Sequence, residues 1–284
     1  MKKKIYAVLL MVFVLFLIFL GDGDGILTQR EEREELSTKK NTGIYAGIYQ
    51  EIQERIFDVG IIGKDFRVWV PTIEEQEDKI YTFLQGPRSF AEQRPWSGEW
   101  CQEIVKGNSF GGFGCGHCCM ANIYSSLSPY ECSPLDMFHY ATQVTNYYPS
   151  REGGAIGWFN MRRTLKAAGF TCGLCRKPET YEEFQEEMRK SQSAIVLVCS
   201  GNDDTFWKNT GGHYVNIWLY QPDSDMVFLA EPGDPDNNRT WIPLRYVYDA
   251  LKTVSPYQYL SVAEYVEENN PWKWDGIHDV WNGK

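Results

Sequence analysis

A cysteine at the start of a helical pattern and a histidine at the start of a strand pattern constrain this chain most. Cys115 is flanked by glycines and followed by a partly apolar run that ends at residues 128–129, which predicts a helix beginning at the cysteine. His213 opens an alternating run of β-forming residues, which predicts a strand. A helix N-terminus favours a thiolate, and an imidazole can accept the thiol proton and return it. The pair therefore predicts a nucleophilic cysteine whose base comes from a distant part of the chain.

A carboxylate follows the predicted histidine strand, where a third member of such a site is needed. A turn at residues 221–225 and a second apolar run at residues 226–230 predict a hairpin with the histidine strand. Glu231 closes this hairpin, and Asp234 follows shortly after it. An acid at this place can accept a hydrogen bond from the His213 ring and fix its tautomer. Glu231 is the predicted third member of a triad, and Asp234 is the alternative.

This order of motifs resembles family thirty-nine of the papain-like cysteine peptidases, which comprises the bacteriocin-processing, double-glycine leader peptidases and their stand-alone relatives. The resemblance is carried by Gly-Cys-Gly before a helix, His-Tyr-Val on a strand and an acid-Pro pair after the next strand, within residues 111–265. It implies a papain-like fold, with Cys115 as the nucleophile and His213 as the general base.

Two positions depart from the family's pattern. The usual Asp before Pro is Glu231 here, unless Asp234 takes that role. The family usually has a glutamine a few residues before the nucleophile as an oxyanion donor. The side chains nearest to that position in this chain are Gln102 and Asn108, which are therefore the possible oxyanion donors.

The other cysteines leave further classes of function open. Cys115 and Cys118 match the dithiol spacing of thioredoxin-like oxidoreductases. The same pair together with Cys172 and Cys175 could make a four-thiolate zinc site, although the gap between the pairs exceeds fifty residues. A catalytically silent peptide-binding module of the same fold is another alternative. The main hypothesis includes no metal and no cofactor.

The N-terminus predicts export. Lysines at positions 2–4 precede an apolar run at residues 5–20, which is typical of a signal peptide or an uncleaved signal anchor. We expect an uncleaved anchor, which would hold the protein at the cell membrane with the rest of the chain outside. A cleaved signal peptide would instead give a secreted protein. The predicted organisation is a signal segment at 1–21, a charged stalk and accessory segment at 22–80, a catalytic domain at 81–270 and a C-terminal tail at 271–284.

The remaining patterns predict an α+β domain. Predicted helices cover residues 133–144, 158–168, 180–190 and 244–251, and further strands cover residues 194–199 and 257–265. Because helices come first and strands cluster later, N-terminal helices should pack on a largely antiparallel sheet, as in a papain-like fold. The net charge of −10 argues against nucleic acid as a partner. The sequence thus predicts an extracytoplasmic cysteine peptidase that acts on a peptide or protein and contacts the membrane through its N-terminal helix.

Overall fold

The computed structural model describes residues 71–150, 154–200 and 206–284. The predicted signal anchor and most of the predicted stalk lie outside these residues. Within them, no helix combines the length and the apolar character that crossing a membrane requires.

Eight α-helices lie in the described part of the chain. They are α1 (Ile73–Glu77), α2 (Pro87–Ala91), α3 (Phe110–Phe113), α4 (Cys115–Leu127), α5 (Pro134–Thr145), α6 (Trp158–Ala167), α7 (Tyr181–Lys190) and α8 (Leu244–Ala250). Two short 3-10 helices cover Glu99–Gln102 and Glu267–Asn269.

Side-chain caps fix the starts of two of the predicted helices. The Ser133 hydroxyl accepts the Asp136 N–H, the Asp136 carboxylate accepts the Ser133 N–H, and Pro134 is the first residue of α5. Thr180 and Glu183 form the same reciprocal pair at the start of α7. Such capping boxes satisfy N–H groups that have no partner within the helix. Both helices are confirmed close to their predicted bounds.

The main sheet has six antiparallel strands in the order β3-β8-β4-β5-β6-β7. The strands are β3 (Phe170–Cys175), β4 (Ser193–Val198), β5 (His213–Gln221), β6 (Met226–Ala230), β7 (Thr240–Pro243) and β8 (Tyr259–Tyr265). A separate two-stranded ribbon pairs β1 (Ile104–Val105) with β2 (Asn108–Ser109). The predicted α+β class with a largely antiparallel sheet is confirmed.

The sheet is covered on both faces, and its central strand shows this directly. All residues of β4 are buried. Ile195 and Leu197 join the apolar cluster shared with α4, α5 and α6, whereas Val196 and Val198 join the cluster that contains α7 and α8. Alternate residues of a strand point to opposite faces, so a strand buried on both faces carries a continuous apolar sequence.

Residues 271–284, which the sequence analysis separates as a tail, pack against the start of the described chain. Trp281 lies in one aromatic cluster with Phe83 and Trp96, at ring distances of 5.9 and 6.1 Å. It also forms an antiparallel bridge with Gly98, and the Trp96 N–H donates to the Gly283 carbonyl at 2.7 Å. The segment therefore contributes to the same core.

Candidate active site

Cys115 is the first residue of the central helix α4 and follows the one-turn helix α3 directly. Gly114 joins the two helices, and a side chain at this position would collide with the Phe110 ring. On the other side of the cysteine, a Cβ at Gly116 would lie 2.6 Å from Ile156 Cγ2. The glycines flanking Cys115 thus permit close packing around the helix start. The thiol itself lies at the N-terminus of a 13-residue helix, where the aligned peptide dipoles favour negative charge.

His213 is the first residue of β5 and pairs with Val198 at the end of β4. Its Nε2 faces the Glu231 Oε1 in a short contact, and Cys115 lies near enough to its ring to raise the pKa of the imidazole. Since Nε2 is taken by the carboxylate, Nδ1 is the nitrogen left for the thiol. The side chain is 15% exposed, so the base lies mostly inside the protein but opens to solvent on one side.

Glu231 follows β6 directly, and its carboxylate is 2% exposed. Besides facing His213, Oε1 accepts the Gly233 N–H at 2.9 Å. Oε2 accepts the Trp207 indole N–H at 2.7 Å. Asp234 instead accepts the Asp236 N–H at 3.0 Å and the Asn237 amide at 2.7 Å, so its carboxylate caps its own turn. The structure places Glu231, and not the alternative Asp234, against the histidine.

Nearby charge and burial shift the pKa of His213 in opposite directions. Burial by itself lowers the pKa of the imidazole. The negative charge of Glu231, its hydrogen bond to the ring and the nearby Cys115 outweigh burial, so the pKa of His213 is raised well above its usual value. A protonated imidazole beside a thiol favours the thiolate, which is the nucleophilic form of cysteine.

A buried pair of amides connects α4, which begins at Cys115, to β5, which begins at His213. The Asn122 side chain in α4 donates to the Asn216 Oδ1 in β5 at 3.0 Å. The Asn122 Oδ1 accepts the Phe83 N–H at 2.8 Å. Both asparagines are fully buried. Because buried polar groups need their partners, this link helps to fix α4 relative to β5, and thereby Cys115 relative to His213. Sequence reasoning did not identify it.

Six of the other seven cysteines lie in surroundings that disfavour a thiolate. All eight cysteines are unpaired thiols. Burial raises the pKa of Cys118 well above its usual value, and it raises that of Cys101 to about 11 and that of Cys172 to about 12. The described residues contain no group of three or more His, Cys, Asp or Glu side chains that could hold a metal ion. The two Cys-x2-Cys pairs are therefore not brought together as a four-thiolate set.

The two predicted oxyanion donors are engaged elsewhere or face solvent. Gln102 is exposed at the end of its 3-10 helix. The Asn108 amide donates to the carbonyls of Val105 and Lys106, at 3.4 and 3.3 Å, within the β1–β2 hairpin. Neither side chain makes a hydrogen bond to Cys115, His213 or Glu231 in the described part of the protein.

Gln85, which sequence reasoning missed, lies between α3, which precedes Cys115, and the turn that follows Glu231. Its main-chain N–H donates to the Pro232 carbonyl at 2.9 Å, and its Nε2 donates to the Gly111 carbonyl at 2.8 Å. The residue is 9% exposed, and its Oε1 has no hydrogen-bond partner among the described residues. An amide nitrogen carries two N–H donors, of which Gly111 takes one. Gln85 precedes Cys115 by thirty residues, so a search close to the cysteine could not find it.

Aromatic side chains form another side of the site. Tyr214 follows His213 in β5, and its ring packs edge-on against Trp158 at 5.0 Å. Burial raises the pKa of Tyr147 and Tyr214, and the nearby Cys115 raises it further, so both hydroxyls stay neutral near neutral pH. The surroundings of the thiol therefore combine charged partners on one side with neutral aromatic rings on the other.

The searches against models of protein families and against curated proteins find no match to this chain.

Proposed function

We propose that this chain is an extracytoplasmic, papain-like cysteine peptidase that hydrolyses peptide bonds through an acyl-enzyme on Cys115. His213 acts as the general base and acid, and Glu231 orients its ring. The observation that carries the proposal is that His213 contacts the buried Glu231 carboxylate and lies near Cys115, which opens a 13-residue helix. A nucleophile, a base and an orienting acid in contact are what acyl transfer by a cysteine needs.

Three features support the papain-like assignment and the resemblance to family thirty-nine. The nucleophile opens a central helix, the base opens a strand of an antiparallel sheet, and the acid follows the neighbouring strand. The order of the residues along the chain is cysteine, histidine, acid. The residue order already defines the sequence resemblance, and the observed elements and the contact between His213 and Glu231 agree with it.

In the proposed acylation step, the Cys115 sulfur attacks the carbonyl carbon of the substrate and forms a C–S bond. The protonated His213 gives its proton to the amine nitrogen as the C–N bond breaks, and the amine leaves. In deacylation, His213 takes a proton from water while the water oxygen forms a bond to the acyl carbon. The C–S bond then breaks, the acid is released, and the thiolate beside the protonated imidazole is restored.

The negative oxygen of each tetrahedral intermediate needs donors close to the sulfur. The first N–H groups of a helix have no carbonyl partner within it, so the Cys115 N–H is one candidate donor. We assign the Gln85 amide as the second, because Gln85 joins α3, which precedes Cys115, to the Pro232 turn: its side chain donates to Gly111 and its main chain to Pro232. This replaces Gln102 and Asn108 in that role.

The proposed location rests on residues 1–21, which lie outside the described part of the structure. A signal anchor there would hold the chain at the cell membrane with the catalytic residues outside, and a cleaved signal peptide would release it. Protease added to intact cells should remove the domain and leave an N-terminal fragment in the membrane. Mature protein beginning near residue 21 in the medium would support release instead, and recovery in the cytosol would contradict export.

The test of the activity is hydrolysis of a peptide library by wild-type protein and by two cysteine variants. Cys115→Ala should abolish hydrolysis, whereas Cys118→Ala should leave most of it, provided that both variants unfold at the wild-type temperature. Equal loss in both variants, with disulfide reduction by the wild type, would support the oxidoreductase alternative. Peptide binding without any hydrolysis would support the silent binding module.

A further inference from the structure

Both oxygens of the Glu231 carboxylate are occupied, and their partners come from different parts of the chain. Oε1 faces His213 Nε2 and accepts the Gly233 N–H. Oε2 accepts the indole N–H of Trp207 at 2.7 Å. Trp207 lies in the connection between β4 and β5, six residues before His213. The carboxylate is therefore held on one side by the base and on the other side by an indole.

The indole of Trp207 is itself held firmly. The residue is 6% exposed and belongs to the apolar cluster on the α7 and α8 face of the sheet. Its ring packs edge-on against Phe206 at 4.9 Å. An indole nitrogen can only donate, so this contact serves an oxygen that acts as an acceptor. A buried carboxylate oxygen without a hydrogen-bond donor costs free energy. Without the Trp207 indole, the Glu231 carboxylate would therefore rotate towards another donor.

We propose that Trp207 is a positioning residue of the site, whose indole N–H fixes the plane of the Glu231 carboxylate so that Oε1 stays directed at His213. This inference rests on the proposed cysteine nucleophile, because its consequence is read at Cys115. Trp207 acts through Glu231 and not on the reacting atoms. When the carboxylate turns away, the protonated imidazole loses support, and the thiolate beside it is populated less at neutral pH.

The groups that contribute to such a pH dependence can be named. In the described chain, the titratable groups that face His213 or lie near its partners are Glu231, Cys115, Cys118, Cys119, Tyr147 and Tyr214. Burial raises the pKa of the last four, so they remain neutral near neutral pH. A change in the titration of Cys115 on altering Trp207 therefore reports on the carboxylate and the imidazole.

The experiment measures the rate at which iodoacetamide alkylates Cys115 in the full chain as a function of pH, with the labelled site identified by peptide mass spectrometry. No peptide substrate is needed. Trp207→Phe keeps most of the aromatic packing and removes the donor. We expect the midpoint of its alkylation profile to move up by about one pH unit, which makes labelling about tenfold slower on the acidic limb.

Two further variants separate donation from packing. Trp241→Phe is the matched control, because the Trp241 indole donates to a Glu77 carboxylate oxygen at the same 2.7 Å. We expect no shift of the Cys115 profile in this variant. Trp207→Gln keeps an N–H donor but loses the ring, and its midpoint should return part of the way to the wild-type value.

The outcomes distinguish this inference from the proposed function. An unchanged midpoint in Trp207→Phe with wild-type thermal unfolding overturns the positioning role. A larger shift in Trp207→Gln than in Trp207→Phe also overturns it, because packing alone would then explain the effect. If wild-type Cys115 titrates like an ordinary exposed thiol, the proposed function itself fails, and the inference that rests on it fails with it.

Discussion

Glu231 makes two separate contacts, one through its main chain and one through its carboxylate. Its backbone N–H donates to the Asn238 Oδ1 at 3.0 Å, while its carboxylate reaches the His213 ring on the neighbouring strand. The Asn238 amide in turn donates to the Thr82 carbonyl at 2.8 Å. Glu231 is therefore held by Asn238 through its main chain and by His213 through its carboxylate.

Replacing Glu231 by glutamine keeps the shape of this side chain and removes its charge. The pKa of His213, which Glu231 raises, should fall, so the alkaline limb of kcat/KM should move to lower pH. We expect kcat/KM at the optimum to drop by about a hundredfold. The measurement is a pH–rate profile with a responsive peptide. Asp234→Asn is the control, and an equal loss there would contradict the assignment of Glu231.

Gln85 can be tested by replacing its donor. Gln85→Glu keeps the size of the side chain but replaces the donating amide nitrogen with a second acceptor oxygen and adds a negative charge. If the amide supports the developing oxyanion, kcat should fall by about a hundredfold while KM changes little. Gln102→Ala and Asn108→Ala should stay close to wild-type kcat. A loss confined to either of these two variants would restore the donor predicted from the sequence.

At the scale of single elements, α4 carries a histidine in an apolar cage. His117 is fully buried, and its ring packs within 6.1 Å of those of Phe110, Phe113, Phe138 and Tyr147. Neither ring nitrogen makes a regular hydrogen bond within the described residues, and the Phe113 main chain is only a weak partner. Burial lowers the pKa of His117 to about 3.

Because its pKa is lowered in the folded protein, His117 makes the free energy of unfolding depend on pH. The unfolded chain binds the proton with the usual pKa of about 6.5, whereas the folded chain resists it until about pH 3. Stability should therefore fall as the pH falls from about 6.5 towards 3, by about 1.4 kcal/mol per pH unit from this group alone. His213, with its raised pKa, acts in the opposite sense and loses its contribution as the pH rises.

Comparing wild type with His117→Phe isolates the contribution of His117 to the pH dependence of stability, because both proteins contain His213. At neutral pH the variant should be as stable as wild type or slightly more so, because an unpartnered polar ring is replaced by an apolar one. Near pH 4.5 its advantage should grow by about 2–3 kcal/mol. Urea unfolding at several pH values measures this. Parallel stability curves for the two proteins would contradict the account.

The start of α4 should also be sensitive to added volume. A Cβ at Gly116 would lie 2.6 Å from Ile156 Cγ2 and 3.2 Å from Met161 Sδ, whereas one at Gly112 would meet nothing within 4 Å. Gly116→Ala should therefore cost about 1–3 kcal/mol and displace the thiol, and Gly112→Ala should cost much less. Chemical unfolding together with the Cys115 alkylation rate reports both effects. Equal destabilisation by the two substitutions would show that the cost comes from the loss of backbone freedom and not from packing around Gly116.

The elements that the sequence predicted well are those with local signals. Caps at Ser133 and Thr180 and the periodic runs behind them identified α5 and α7, alternation identified β5, and an apolar run after a turn identified β6. The strand β3 contains Gly173 and two cysteines and was not predicted, since its strand character depends on pairing with β8. The edge strand β7 is only four residues long and was missed as well.

The residues of the candidate site also separate into those with a local sequence signal and those without one. Cys115, His213 and Glu231 were predictable because each lies at an element boundary that the local sequence marks. Gln85 and Trp207 were not, because their roles arise from long-range contacts with the Pro232 turn and the Glu231 carboxylate. Only the folded arrangement brings those two side chains to the site.

For the molecule as a whole, the C-terminal segment is a structural part of the domain. Trp281→Ala removes a ring from the cluster with Phe83 and Trp96 and should destabilise the protein by about 2 kcal/mol. Val280, which is 62% exposed, provides the matched control, and Val280→Ala should change stability little. Thermal or urea unfolding measures both. A neutral Trp281→Ala would mean that the segment merely lies on the surface.

The position of β8 has a consequence for the newly made protein. This strand comes late in the chain, yet it lies between β3 and β4 in the sheet. A chain that emerges with its N-terminus first must therefore wait for residues 259–265 before β3 can join the rest of the sheet. Throughout that interval, oxidants and partner thiols can reach cysteines that the finished fold buries. The timing of strand insertion thus sets how long a nascent molecule is open to incorrect disulfides.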